Sequence, residues 1–463
     1  MTEQFPTLPE GFAFGVSTAA YQIEGAADED GRGPSIWDTF SAEPGRIADG
    51  STGAVACDHY HRYREDVDLM AGLGLDGYRF SISWPRVQPE GRGRANPKGL
   101  AFYDRLVDAL LERGIAPMAT LYHWDLPQPL QDAGGWRNRD TTDRLAEYAT
   151  LVGLKLADRV AQWIPVNEPS VATMLGHAVG QHAPGQRLLL DALPVAHHLL
   201  LGHGRAAAAL RTTGATAIGT ANNHSPAWPA TDSEGDRLAA DLYDTLWNRL
   251  FADPMLLGSY PEGFAELMPG AVADDLAVIK APLDFYGVNY YYPTRVADPA
   301  TATTTEVPAG VELPAEMPFA LVPIEQYPRT GFGWPVAPDG LRELLVSMTK
   351  KYGAALPPLY VTENGCAYDD VPDAGGAVHD PDRVSFLDGH LRSVAKAITE
   401  GADIRGYYTW SLMDNWEWAE GFTKRFGLVH VDFDTQRRTP KDSYRWFSDV
   451  IAAQPGRPSR PPL

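Results

Sequence analysis

The chain predicts an α/β fold, a single barrel of eight parallel strands with helices between them. Two observations carry this expectation. Short β-type runs ending in polar or aromatic residues recur eight times, and segments with a helical apolar period fall between them, so the order is β then α throughout. A doubly wound open sheet usually has fewer strands and a phosphate loop near its start, which leaves the closed (β/α)8 TIM barrel. One catalytic domain spanning residues 1–463, with its core at about 12–450, is the expected organisation, because such barrels commonly exceed ~250 residues as one unit.

Taken in order, the runs are Phe12 to Ala20, Gly77 to Ser83, Ala116 to Trp124, Gln162 to Val166, Ala217 to Asn222, Phe285 to Tyr291, Leu359 to Thr362 and Gly406 to Leu412. Helical period appears at Tyr103 to Arg113, Arg144 to Arg159, Val195 to Thr212 and Val384 to Glu400. The segment Val296 to Thr330 breaks the rhythm, being rich in Ala, Thr and Pro with little period. It follows the sixth run directly and is expected to be a long βα loop over the barrel mouth.

A formal charge of −21 argues against nucleic-acid and anionic-membrane partners, which require clustered Lys and Arg. Cys57 and Cys366 are too few for a disulfide framework or a four-cysteine zinc site, and two free thiols in a reducing cytoplasm are expected. No basic segment followed by an apolar run opens the chain, and no apolar stretch is long enough to span a bilayer, so a cytoplasmic protein is expected. Histidine spacing offers no metal site: His59 and His61 are two apart, and His197 and His198 are adjacent. Gly72 to Gly77 has the spacing of a dinucleotide fingerprint but follows a helical segment and leads into a strand, the reverse of what a phosphate cradle requires. It reads better as a helix-ending glycine and a turn, so neither cofactor nor metal is expected.

Two carboxylates survive this screening. In a barrel of this kind the reactive residues sit at the C-terminal ends of strands, and Glu168 closes the fourth run while Glu363 closes the seventh. Cleaving an acetal between sugars needs a proton for the leaving oxygen and, on the opposite face, a nucleophile or activated water, which two carboxyl groups can supply. By residue type alone, Mg²⁺ ligation or two unrelated surface glutamates stay open. Trp124, Tyr290, Tyr291, Trp334, Trp410, Trp416 and Trp418 favour sugar chemistry, because they cluster at or just beyond the strand tips beside Asn and Glu residues. Aromatic faces and rim amides can together hold a neutral polyhydroxylated ring.

These stretches carry a resemblance from Phe12 to Phe447. FAFGVSTAAYQIEGA near the start, YRFSISWPR at Tyr78 to Arg86, YHWDLP at Tyr122 to Pro127, NEP at Asn167 to Pro169, VNYY at Val288 to Tyr291, VTENG at Val361 to Gly365 and WSLMDNWEWAEGF at Trp410 to Phe422 occur in the order found in family 1 glycoside hydrolases of the β-glucosidase type. The resemblance implies a retaining β-glycosidase acting on terminal β-D-glucosyl residues, with β-galactosyl and β-fucosyl residues left open, of oligosaccharides and of aryl or alkyl glycosides, with a place in cellulose and polysaccharide degradation. It implies Glu363 as nucleophile and Glu168 as acid/base. Arg79, Asn289 and Tyr291 are implied to support them. Gln22, His123, Trp124, Asn167, Trp334, Trp410, Glu417, Trp418 and Phe426 are implied to bind substrate. On this reading Arg79 and Tyr291 hold the Glu363 pKa down while Glu168 starts protonated.

One position departs from the family pattern: Pro165 stands where Thr is usual, so the fourth strand is expected to bulge or end early. A 6-phospho-β-glycosidase is the nearest rival, disfavoured because an ionised Glu417 would repel a phosphate. A sugar-binding protein without catalysis is disfavoured because both carboxylates are present, and an oxidoreductase because no cofactor loop is credible.

Overall fold

The computed structural model describes residues 5–306 and 317–457, so residues 307–316 of the expected mouth loop lie outside the described residues. Eight parallel strands form one sheet: β1 (Ala13–Ser17), β2 (Gly77–Ser81), β3 (Ala116–Tyr122), β4 (Gln162–Val166), β5 (Gly219–Asn223), β6 (Phe285–Asn289), β7 (Leu359–Asn364) and β8 (Ile404–Trp410). Their order in the sheet is β4-β3-β2-β1-β8-β7-β6-β5. The ends meet through isolated bridges, Trp163 with Ile218 and Asn167 with Ala221, which bring the sheet round to a nearly closed barrel.

The seam between β4 and β5 is where Pro165 acts. Trp163 donates its N–H to Ala217 and Glu168 donates to Ala221. Pro165, two residues beyond Trp163 and therefore facing the same side, has no N–H to give. The strand neither ends early nor loses its register with β3, where Ile164 faces Thr120 and Val166 faces Tyr122. The missing donor instead thins the ladder at the closing seam. The irregularity falls at β7, where register shifts lie between Val361 and Glu363 on the β6 side and between Val361 and Asn364 on the β8 side.

Eight principal helices surround the strands: α1 (His59–Leu73), α2 (Pro97–Glu112), α3 (Asp140–Leu156), α4 (Leu193–Thr212), α5 (Val272–Ile279), α6 (Pro338–Tyr352), α7 (Pro381–Thr399) and α8 (Asp442–Ala452). Their boundaries follow local chemistry. Asn96 caps α2 through the Lys98 N–H with Pro97 in the first turn, and Gly74 ends α1 in the left-handed conformation at φ 79°. That end disposes of the glycine-rich spacing at Gly72 to Gly77.

Apolar stripes of the helices pack onto the barrel's outer face, as Leu106, Leu145, Leu199, Leu345 and Leu391 do with no more than 1% exposure. Inside the barrel a separate cluster joins Met118, Ile164, Ala221, Phe285 and Tyr408 from five strands, filling the lower interior. Gly15 and Gly77 make room for Tyr408, since a Cβ on either would come within 2.3 or 2.5 Å of its side chain. A filled floor leaves only the C-terminal mouth for a site.

The segments after β5 and β6 form a small three-stranded sheet of Ala227–Pro229, Thr294–Ala297 and Ala320–Leu321. The described parts of the Val296 to Thr330 segment thus carry a short antiparallel pairing, Val296 with Leu321, that an irregular loop would not. Both cysteines are buried free thiols. No described helix is long and apolar enough to cross a membrane.

Candidate active site

Register places the chemistry. Asn223 at the tip of β5 faces Asn289 at the tip of β6, and Asn289 faces Glu363 on β7. Glu168 lies two residues past the end of β4 and adopts a left-handed backbone, φ 44° and ψ 64°, which a residue with a Cβ enters only at a cost of order 1–3 kcal/mol. Its N–H bonds Ala221 at 2.8 Å and its carbonyl accepts from Ala172 at 3.1 Å, so the seam and the following turn hold it there.

Both carboxyl groups are nearly buried, each residue with 3% exposure. Glu363 pairs with Arg79 through Oε1 and accepts from the Tyr291 hydroxyl at 2.8 Å through Oε2. Glu168 accepts from Asn289 at 2.8 Å and from Asn223 at 3.2 Å, both on Oε1. Asn167 ties the set together: its amide oxygen takes Arg79 Nη2 and, at 3.2 Å, Asn289 Nδ2. Its nitrogen must therefore donate to His123 Nε2 at 3.0 Å, which places the imidazole proton on Nδ1.

The charge states separate the two glutamates. Burial raises the Glu168 pKa to about 8, and the neighbouring Glu363 charge adds to the shift. Burial also raises Glu363, so its pKa is not below the ordinary carboxylate range as the sequence led us to expect. Desolvation outweighs the Arg79 charge and the Tyr291 hydrogen bond, which oppose it. The order still follows from the environment, because a guanidinium stabilises the Glu363 anion while Glu168 faces that anion. Glu417 is likewise raised to about 8, mainly by burial, with the Gln22 hydrogen bond opposing. His123 is pushed well below its usual value by burial and by Arg79, and is neutral.

A cavity of about 740 Å³ opens above these groups. His123, Trp124, Glu168, Tyr291, Trp334, Glu363, Trp410, Glu417 and Trp418 line it. Gln22, Arg79, Asn167, Asn289 and Phe426 do not, and each stands one layer behind. Gln22 Nε2 donates to Asn415 Oδ1, to the Trp416 carbonyl and to Glu417 Oε2 at 2.9–3.1 Å, so it fixes the carboxyl that lines the cavity. Phe426 packs behind Trp334 and Tyr291 at ring distances of 6.0 and 6.3 Å, supporting the walls without reaching the cavity. Trp410, Trp418 and His123 form a layered floor, the His123 ring lying 5.9 Å from each indole.

Part of the cavity wall is apolar: Met174, Leu175, Leu190, Leu246, Met317 and Phe319 contribute to its lining. Cations at the rim are engaged: Arg329 pairs with Glu306, and Lys424 bonds the Gly331 carbonyl and lies 5.3 Å from the Phe332 ring. No cluster of three or more metal-ligating side chains occurs among the described residues.

Asn223, Trp247, Thr362 and Asn415 belong to this network and escaped the reading of the sequence. Thr362 donates to Asn289 Oδ1 at 2.6 Å and thereby turns the Asn289 nitrogen toward Glu168. The signal for Asn223 was present, since it is a polar residue at a strand tip, but the fifth run was ended one residue short. A proton-bearing carboxyl and an ionisable one facing a floor of aromatic rings can together protonate a leaving oxygen and attack the carbon it leaves.

Comparison with known proteins agrees with this geometry. Residues 4–455 match the model of glycosyl hydrolase family 1. The chain is 46% identical to β-glucosidase A of Acetivibrio thermocellus, covering 96% of this chain and 98% of the relative. It is 44% identical to a bifunctional β-D-glucosidase/β-D-fucosidase of Bifidobacterium breve, covering 97% and 99%. The crystal structure of a psychrophilic β-glucosidase from Micrococcus antarcticus superposes with a TM-score of 0.92 at 47% identity, covering 96% and 98% of the two chains.

Proposed function

This chain belongs to glycosyl hydrolase family 1, and from that premise we propose that it is a retaining β-glucosidase in which Glu363 is the nucleophile and Glu168 the acid/base, in one domain over residues 1–463. Its substrates are small β-glycosides with a terminal non-reducing β-D-glucosyl or β-D-fucosyl residue.

In the first step Glu168 gives its proton to the glycosidic oxygen while ionised Glu363 attacks the anomeric carbon, forming a covalent glycosyl-enzyme. Once Glu363 is esterified its charge is gone, and with it part of what raises the Glu168 pKa. Glu168 then takes a proton from the incoming water. The observation that carries this reading is the opposed surroundings of the two carboxyl groups, Arg79 and Tyr291 on Glu363 and two neutral amides on Glu168. The bifunctional Bifidobacterium breve relative supports fucosides as substrates. The apolar side chains in the cavity lining suit aryl and alkyl leaving groups.

A 6-phosphorylated substrate is disfavoured, although the repulsion expected from Glu417 acts only once that group ionises, above about pH 8. The relatives named β-glucosidase carry the choice. Glu363→Gly is the test: hydrolysis of an aryl β-glucoside is expected to fall by about 10⁴-fold or more, with azide restoring turnover as the α-glycosyl azide. Retained hydrolysis in the variant, or activity confined to the 6-phospho substrate in the wild type, refutes the reading.

A further inference from the structure

Glu168 receives two amide hydrogen bonds on a single oxygen, and the structure fixes the orientation of both amides. Thr362 holds the Asn289 oxygen. Trp247 holds the other: its indole Nε1 donates to Asn223 Oδ1 at 3.0 Å, so the Asn223 nitrogen is the atom that faces Glu168 Oε1 at 3.2 Å. An amide whose oxygen was free to turn would as readily present an acceptor to that carboxyl.

We propose that Asn223, locked by Trp247, is a positioning residue for the acid/base glutamate: with Asn289 it occupies Oε1 and so assigns the transferable proton to Oε2. The inference rests on Glu168 being the general acid. A carboxylic acid has one O–H, and an oxygen accepting two N–H bonds is the poor place for it. The proton given to the leaving oxygen therefore comes from Oε2, and the proton taken from water returns to it.

Trp247 also links this hold to the substrate. It lies on the π-helical turn Thr245–Arg249, stacks on Tyr243 with rings 6.1 Å apart and 8° from parallel, and lines the cavity beside the Asn223 that bonds Glu168. The residue that orients Asn223 is thus one that a bulky leaving group touches. The titratable and charged groups around Glu168 are Glu363, Arg79, Tyr291 and Glu417, and neither Asn223 nor Trp247 is hydrogen-bonded to any of them.

The test compares two glucosides across pH. Methyl β-D-glucoside needs protonation of its leaving group and is too small to reach Trp247, whereas 2,4-dinitrophenyl β-D-glucoside leaves without a proton. In Asn223→Ala, kcat/KM for the methyl glucoside is expected to fall about 10-fold, a part of the ~10²–10⁴ that general acid catalysis supplies, with the dinitrophenyl substrate within about twofold of wild type. Its alkaline limb should move up by about half a pH unit, because a lost donor to the carboxylate favours the protonated form. Trp247→Phe keeps a ring and loses the N–H, and should move both readouts the same way by a smaller amount. Equal losses on both substrates with an unmoved alkaline limb would show a merely structural role and overturn the proposal, as would wild-type behaviour of both variants. Glu168→Gln separates the two failures. If it distinguishes the substrates and the other variants do not, only the positioning inference falls; if it does not, the assignment of Glu168 as acid falls with it.

Discussion

Burying the Glu417 carboxyl in the cavity wall comes at the expense of stability. Its carboxyl has a pKa of about 8 when folded, against an ordinary 4.5, with burial the main cause. The unfolded chain releases this proton near pH 4.5 and the folded chain only near 8. The penalty is therefore absent at low pH, grows as pH rises between those values, and is complete above about pH 8. Glu417→Gln should stabilise the protein increasingly across that window. The gain should reach ~1–2 kcal/mol at pH 8.5, since the residue keeps some contact with solvent, and thermal melts of both forms across pH would read it. The same variant should raise KM for a β-glucoside by about 10-fold or more through a lost sugar contact, and affect a β-fucoside, which lacks the 6-hydroxyl, less. An unchanged KM ratio between the two sugars would remove Glu417 from the recognition of that hydroxyl. Such a residue was easy to find in the sequence because its neighbours form an aromatic motif. Asn223 was harder to single out: it sits at a strand tip, but the sequence alone does not show which of the adjacent Asn222 and Asn223 closes the strand.

At the level of the strand, the tip of β7 does more than turn the chain away from Glu363. Asn364 belongs to the strand, donating to the Tyr290 carbonyl at 2.8 Å and accepting from the Tyr407 hydroxyl at 2.6 Å. Gly365 lets the Trp410 carbonyl approach so closely that a Cβ there would sit 1.7 Å from it. Gly365→Ala must displace either the chain bearing Glu363 or the indole of the cavity floor. We expect kcat/KM to fall by about 100-fold or more, as a ~1 Å misplacement can cost, together with a Tm several degrees lower. A variant with wild-type kinetics would show that the tip can relax. The eight strands were legible because alternation and tip chemistry are local, and most boundaries fell within a few residues of those expected. Nothing local marks Gly365, because its constraint comes from Trp410, 45 positions away in sequence. Pro165 was legible as a missing donor, but whether a strand bulges, ends or merely thins its seam depends on the neighbour across it.

Across the whole molecule, opposing proton equilibria set where the fold is most stable. Burial holds His177, His203, His224 and His390 at pKa values of about 4 and His182 at about 3, all below the usual 6.5. Each is neutral in the fold while the unfolded chain binds a proton near pH 6.5. Their contribution to stability is therefore intact above pH 6.5 and lost as pH falls from there toward 4. Glu168 and Glu417 act in the opposite sense, costing stability as pH rises from 4.5 to 8. Stability should fall on the acid side of pH 6.5, where these histidines act together, and His123 with them, against a total of only ~5–15 kcal/mol. His203 isolates the effect, because it is fully buried and neither ring nitrogen has a hydrogen-bond partner among the described residues. His203→Leu should be close to neutral at pH 7.5 and more stable than wild type at pH 5 by ~1–2 kcal/mol, since a proton that the fold refuses is no longer offered to the unfolded chain. Urea unfolding of both forms at the two pH values measures the difference. An equal ΔΔG at pH 5 and 7.5 would mean that His203 does not resist protonation, and that acid lability arises in the carboxylate pairs instead.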